Sequence, residues 1–196
     1  MTMMAGVSFS AIAGEKRELG SHEHGVGLLN IAFEDAQIAM ELEAPGADIV
    51  GFEHEANTAE DRAKIDAAIA TLAQPLTLFS FPASAGCSVV EAKAALIGED
   101  AEDEHHHGHG DDHGDEAAHD DHDHDDHAHG EESHSEFRAE YVLSCADPSA
   151  IDKIDFAYFE QFPNALELEV QLISDKGSNG FEVERDAPSL SLGGAI

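Results

Sequence analysis

The chain has 196 residues, 42% of them apolar, and a formal net charge of −33 at pH 7. That size and apolar content suffice for one domain with a single core. An acidic surface repels phosphate backbones and anionic lipid heads, which excludes nucleic-acid and membrane-surface partners and favours cations. After the N-terminal segment no apolar run approaches the roughly 20 residues of a membrane span, so no membrane insertion of the mature protein is expected.

The N-terminal segment MTMMAGVSFSAIAGEK contains an apolar run that ends in Ala11-Ile12-Ala13. Such a small-x-small pattern precedes signal-peptidase cleavage. We interpret residues 1–13 as the remnant of a signal peptide and residues 14–196 as a mature α+β domain. A complete signal peptide carries Lys or Arg before its apolar run, and none is present here, so we interpret the segment as a remnant. The alternative is an apolar N-terminus on a cytosolic protein.

Two alternating apolar stretches predict strands at the start of the domain, GVGLLNIAF and AQIAMELEA, joined by a tight hairpin at EDA. Thr58 has the character of a helix N-cap, with Asp61 three residues later. We expect a helix from Thr58 with one apolar stripe, and Pro75 ends it.

Cys87 and Cys145 predict a disulfide if the protein is exported; two reduced, buried cysteines in a cytosolic protein are the alternative. The stretches CSVVEAKAALIG and HSEFRAEYVLSCA predict strands, and facing cysteines set their antiparallel register. The opposed pairs are then Val89 with Leu143, Val90 with Val142, Ala95 with Phe137, and Gly98 with His134. Residues 99–133 fall in the connecting loop, whose length predicts a functional and disordered segment.

The last third of the chain predicts a short turn at Pro148, a second turn that buries aromatic residues, and a clear alternating strand, LELEVQLIS. A turn at DKGSNG then leads to FEVER and a last short strand near SLSL. The inward residues of these elements are Phe156, Phe159, Phe162, Leu166, Leu168, Val170 and Leu172. The fold class is α+β, a single domain with a mainly antiparallel sheet of about six strands and two or three short helices.

The loop concentrates potential metal ligands. Sixteen of the 42 acidic residues lie within 99–132, where there is no Lys or Arg. Its histidines are His105, His106, His107, His109, His113, His119, His122, His124, His127 and His129, with His134 at its edge. Imidazole suits zinc, copper and nickel, and at four ligands per zinc the loop could hold roughly two or three ions. The alternative is a solvated acidic tract.

Three histidines lie outside the loop: His22, His24 and His54. If SHEHG opens the first strand, its alternation turns His22 and His24 to the same face. His54 or His134 could add a third ligand, and Glu136 is a weaker candidate. The alternative is that His22 and His24 are exposed on a frayed N-terminus.

Sequence patterns for catalysis are scarce. The chain has no His-Glu-x-x-His motif, no Gly-x-Ser-x-Gly elbow and no phosphate-binding glycine loop. We therefore do not expect an enzyme.

Several segments together resemble the ZrgA family, zinc-regulated periplasmic proteins of Gram-negative bacteria. They are SHEHGVGLLNIA, MELEAPGADIVGFEH, LFSFPASAGCSV, HSEFRAEYVLSCADP and IDFAYFEQFP, with the His-rich loop. The resemblance covers nearly the whole mature chain and implies a periplasmic zinc-binding accessory to zinc uptake. It also implies metal ligands among the histidines of HEHG, GFEH and HSEF and in the loop.

We therefore expect a periplasmic protein that captures zinc on the loop and at a firmer site around His22 and His24. It would buffer the ion or pass it to the solute-binding protein of a zinc ABC transporter. Two alternatives remain: a nickel or copper storage or tolerance protein, and a zinc-dependent hydrolase whose loop feeds a catalytic ion.

Overall fold

Alternating apolar residues form the strands that organise the domain. The computed structural model describes residues 24–98 and 135–196. Its strands are β1 (Val26–Glu34), β2 (Gln37–Pro45), β3 (Phe79–Ser80), β4 (Cys87–Gly98), β5 (Ser135–Cys145), β6 (Lys153–Phe156), β7 (Glu167–Ser174), β8 (Gly177–Glu184) and β9 (Ser189–Ser191). Its helices are α1 (Gly46–Ile49), α2 (Ala59–Leu72), α3 (Pro75–Leu78) and α4 (Tyr158–Gln161), with short 3-10 turns at Ala83–Ala85 and Pro148–Ala150.

Six strands form the main sheet in the order β4-β5-β2-β1-β7-β8, and β3, β6 and β9 form a second, smaller sheet. Strand β1 pairs with β2 in antiparallel fashion and with β7 in parallel fashion. The other neighbours in the main sheet are antiparallel. The predicted class, α+β with a mainly antiparallel sheet of about six strands, is confirmed.

One face of the main sheet forms the floor of the core. Every second residue of β1, β2, β5 and β7 is buried on this face, whereas the residues between them are mostly exposed or half-buried. The predicted inward aromatics Phe156, Phe159 and Phe162 are all at most 3% exposed. The apolar area that these side chains remove from water is the main stabilising contribution to the fold.

The long helix α2 begins where its cap residue predicts. The Thr58 hydroxyl accepts a hydrogen bond from the Asp61 backbone N–H at 3.0 Å, which satisfies one of the free donors of the first turn. Ala68 and Leu72 of its apolar stripe are buried. The helix ends at Leu72, before Pro75 opens α3.

The predicted cysteine register holds at the start of the β4–β5 hairpin and then fails. Cys87 opposes Cys145 and Val89 opposes Leu143, but a β-bulge lies between Val89 and Glu91. A bulge places two residues opposite one and shifts every later pair by one position. The predicted pairs of Val90, Ala95 and Gly98 are therefore wrong, and the observed pairs are Glu91 with Val142, Ala95 with Arg138, and Gly98 with Ser135.

Two smaller expectations, about the start of β7 and the turn after it, are also wrong. Leu166 is 56% exposed, because β7 begins one residue later and alternation does not yet apply to it. The predicted DKGSNG turn is shorter, since Gly177 already pairs with Ser174. Asp175 and Lys176 alone make the turn.

Several predictions concern residues outside the described ranges. These are the signal-peptide remnant at 1–13, the disordered loop at 99–133 and the positions of His22 and His134. They remain predictions. Among the described residues no helix has both the length and the apolar character to cross a membrane.

The predicted disulfide is present, and it joins Cys87 to Cys145 across a sequence separation of 58 residues. We expect the double variant Cys87→Ala/Cys145→Ala to lose about 4 kcal/mol of unfolding free energy, because closing a loop of this length restricts the unfolded chain. Urea unfolding, with and without dithiothreitol, measures the loss. The reductant should destabilise the parent and leave the double variant unchanged. Two free thiols in the denatured, unreduced parent would show that the bond does not form.

Candidate metal site at the start of the first strand

His24 lies in a turn immediately before β1, and its side chain is 64% exposed. Its Nε2 atom lies 3.2 Å from Oε2 of Glu53, whose side chain is only 13% exposed. The strand alternation predicted for His22 and His24 does not extend to His24, because β1 begins at Val26 and Gly25 has a φ of +93°. His24 is therefore positioned by the turn and by its contact with Glu53.

The turn that carries His24 is held through both polar groups of the Gly25 backbone. The Gly25 N–H donates to Oδ1 of Asp48 at 2.8 Å. The Gly25 carbonyl accepts from the backbone N–H groups of Leu166 at 2.8 Å and Glu167 at 2.9 Å. A side chain at residue 25 would be strained at this positive φ, and its Cβ would lie 3.0 Å from the Leu166 side chain. The residue next to His24 is thus fixed in conformation and in place.

The segment that supplies these donors is itself anchored. The Arg185 guanidinium donates to the carbonyls of Phe159 at 2.7 Å, Phe162 at 2.6 Å and Ala165 at 2.9 Å. The backbone N–H of Arg185 also donates to the Leu166 carbonyl at 2.8 Å. Charge-assisted bonds from one rigid fork are stronger than neutral ones. Arg185 therefore stabilises the connection between α4 and β7 on which Gly25 rests.

Asp48 of α1 is the acidic side chain beneath the turn, and it is 2% exposed. Burial raises the pKa of the Asp48 carboxyl, while the Gly25 hydrogen bond and the nearby His24 act in the opposite direction. Its second oxygen, Oδ2, has no hydrogen-bond partner among the described residues. A buried carboxyl with one satisfied oxygen is costly for the fold.

His54 directly follows Glu53 in the sequence, and two contacts of its own orient its ring. Its ring stacks on Phe52 with centroids 4.5 Å apart and planes at 15°. Its Nδ1 atom lies 2.9 Å from the Glu55 carbonyl oxygen. An Nδ1–H donated to this carbonyl leaves Nε2 with its lone pair, which is the form in which a histidine binds a metal.

The residues on either side of the loop, Gly98 and Ser135, lie at the end of the main sheet where β2 ends. Gly98 pairs with Ser135, and Pro45 pairs with Glu136. Gly46 fits closely here, since a Cβ on it would lie 3.0 Å from the Ser135 carbonyl and 2.9 Å from that of Phe52. The residue after His134 and the residue before Glu53 thus both contact Gly46.

The arrangement offers a mixed set of nitrogen and oxygen donors. Among residues 24–98 and 135–196, no three His, Cys, Asp or Glu side chains are grouped closely enough to hold a metal. His24 and Glu53 are the donor pair in direct contact. Imidazole and carboxylate both serve as zinc ligands, so this pair has the chemistry for part of a zinc shell.

Reasoning from sequence missed Glu53 and Asp48. A signal for each was present, because Glu53 precedes His54 in GFEH and Asp48 is the acid within the otherwise uncharged run APGADIVG. The weaker candidate Glu136 lies in β5 and is 8% exposed. Its Oε1 accepts from Arg138 at 3.3 Å, so the structure gives Glu136 a structural ion pair.

Comparison with known proteins gives a family. The family model described as ZrgA family zinc uptake protein matches residues 21–192, which is most of the chain. A search of curated proteins with this chain finds no match. The matched range includes His24, Glu53, His54 and both ends of the loop. The chain therefore belongs to the ZrgA family of zinc uptake proteins.

Proposed function

We propose that this protein collects zinc in the periplasm on the His-rich loop and holds one ion at a folded site formed around His24 and Glu53. It buffers the metal or passes it to the solute-binding protein of a zinc ABC transporter. One observation carries the proposal: Gly98 and Ser135 lie at the same end of the sheet as the His24–Glu53 pair, because the end of β2 pairs with the starts of both β1 and β5.

The composition of the loop supports a collecting role. Histidines bring neutral nitrogen ligands, and the 16 acidic residues of 99–132 attract cations without offering a basic group in competition. A segment without large apolar side chains has to be ordered by the ion that it binds. We therefore expect moderate affinity and rapid exchange from the loop, which suits capture and release.

The contacts around His24 support a different role for the folded site. The Gly25 peptide is fixed before any ion binds, so the backbone that carries His24 needs little further ordering. The candidate shell is His24 and Glu53, completed by His22 and His134, which gives zinc four ligands. His54 is not grouped with His24 and Glu53 closely enough to share the ion. Zinc enters this scheme as cargo, and no catalytic step is part of it. Export is supported by the leader-like residues 1–13 and by the disulfide.

The loop's contribution can be measured by replacing residues 99–133 with Asn-Gly. This leaves Asn-Gly-His134 between Gly98 and Ser135, which is long enough to close the hairpin. We expect the variant to fold and to bind roughly two or three fewer zinc ions per chain, because tetrahedral zinc uses four ligands. Calorimetric titration gives the stoichiometry.

A matched variant separates histidine ligation from acidity. It keeps the full loop and replaces the ten histidines from His105 to His129 with glutamine, leaving every carboxylate in place. We expect the same loss of bound zinc as with the shortened loop. An unchanged zinc count in the shortened chain would contradict binding by the loop.

The folded site can be tested in the chain with the ten glutamines. We expect His24→Ala to abolish the remaining high-affinity zinc, and Glu53→Gln to weaken it about tenfold or more, because it removes a charged ligand that also contacts His24. The control is Glu60→Gln, since Glu60 is 80% exposed on α2 and pairs with Lys64. Competition with a chromophoric chelator measures the affinity. Wild-type affinity in both site variants would remove His24 and Glu53 from the site.

A further inference from the structure

Asp48 combines a backbone contact with a buried carboxyl oxygen that has no partner among the described residues. Its Oδ1 accepts the Gly25 N–H at 2.8 Å, and the oxygen without a partner is Oδ2. A neutral amide oxygen could accept the same bond. The negative charge therefore adds a desolvation cost without adding a contact that the turn requires.

The surroundings of Asp48 show how costly that charge is. The side chain is 2% exposed, and burial is the largest influence on its pKa, which is raised. Tyr158 is fully buried nearby, and after burial the charge of Asp48 is the next cause of its raised pKa. No cation of the described chain forms an ion pair with Asp48.

The same charge lies close to the candidate zinc ligands. His24 and Glu53 both act electrostatically on Asp48, the first lowering its pKa and the second raising it. The two carboxylates repel each other until a cation lies between or beside them, and a divalent ion would relieve that repulsion. The arrangement is unfavourable when empty and favourable when a metal is bound.

We propose that Asp48 is the positioning residue of the folded zinc site. Its Oδ1 fixes the Gly25 peptide and so holds His24 beside Glu53, and its negative charge strengthens the binding of a dication there at a cost to the stability of the metal-free fold. This inference rests on the proposed function, because it assigns a role to Asp48 only if zinc binds at His24 and Glu53.

The two contributions of Asp48 separate in a pair of variants made in the full-length chain with the ten glutamines. Asp48→Asn keeps an acceptor for Gly25 and removes the charge, whereas Asp48→Ala removes both. We expect Asp48→Asn to bind zinc about tenfold more weakly, with the metal-free unfolding midpoint unchanged or raised. Asp48→Ala should lower both the zinc affinity and the midpoint. Chelator competition and thermal unfolding of the metal-free proteins measure the two effects.

The control is Asp152→Asn, which removes the same formal charge from an exposed position at the far end of the sheet, near the β1–β2 turn. It should bind zinc as the parent does. Parent-like affinity in Asp48→Asn would overturn the role of the charge. A midpoint lowered as much as in Asp48→Ala would make Asp48 a purely structural residue, which also contradicts the proposal. If the parent with ten glutamines binds no zinc tightly, the folded site itself fails, and Asp48 has no site to position.

Discussion

The pairing of β2 with two neighbours is the constraint on which the candidate site depends. Strand β2 is antiparallel to both β1 and β5, so its C-terminal end lies beside the starts of both strands. The turn before β1, the α1 segment after β2 and the start of β5 must then meet at one end of the sheet. Core burial fixes this register, because a slip of one residue would turn Leu29, Met40 and Tyr141 to the opposite face.

The β4–β5 hairpin places its disulfide and the proposed metal-capturing loop at opposite ends. The disulfide closes the hairpin at its base, whereas the loop leaves from the opposite end at Gly98 and Ser135. A long, acidic insertion at that point adds little to the entropy cost of folding, since the strands are already joined covalently. The hairpin can therefore carry an insertion rich in like charges while the core remains intact.

Electrostatics link the two proposed binding places. The formal charge of −33 raises the local concentration of cations around the chain. The general order of affinity favours copper over zinc, so a run of histidines and carboxylates does not by itself select zinc. In the proposed scheme discrimination depends on the folded site, where Asp48, Leu166 and Glu167 hold the Gly25 backbone next to His24.

The sequence by itself predicted the six strands of the main sheet, the cap at Thr58 and the concentration of histidines between residues 99 and 134, because alternation, capping chemistry and composition are local properties. It did not predict β3 or β6, since its pattern places Phe156 in a turn, and it supported the disulfide only as the consequence of export. The resemblance to the ZrgA family, and the zinc binding that it implies, rested on short sequence segments of the same kind. Only the tertiary structure decided the bulge after Val89, the contact of His24 with Glu53 and the burial of Asp48. These depend on which strand ends meet and on how closely they pack, and no local pattern contains that information.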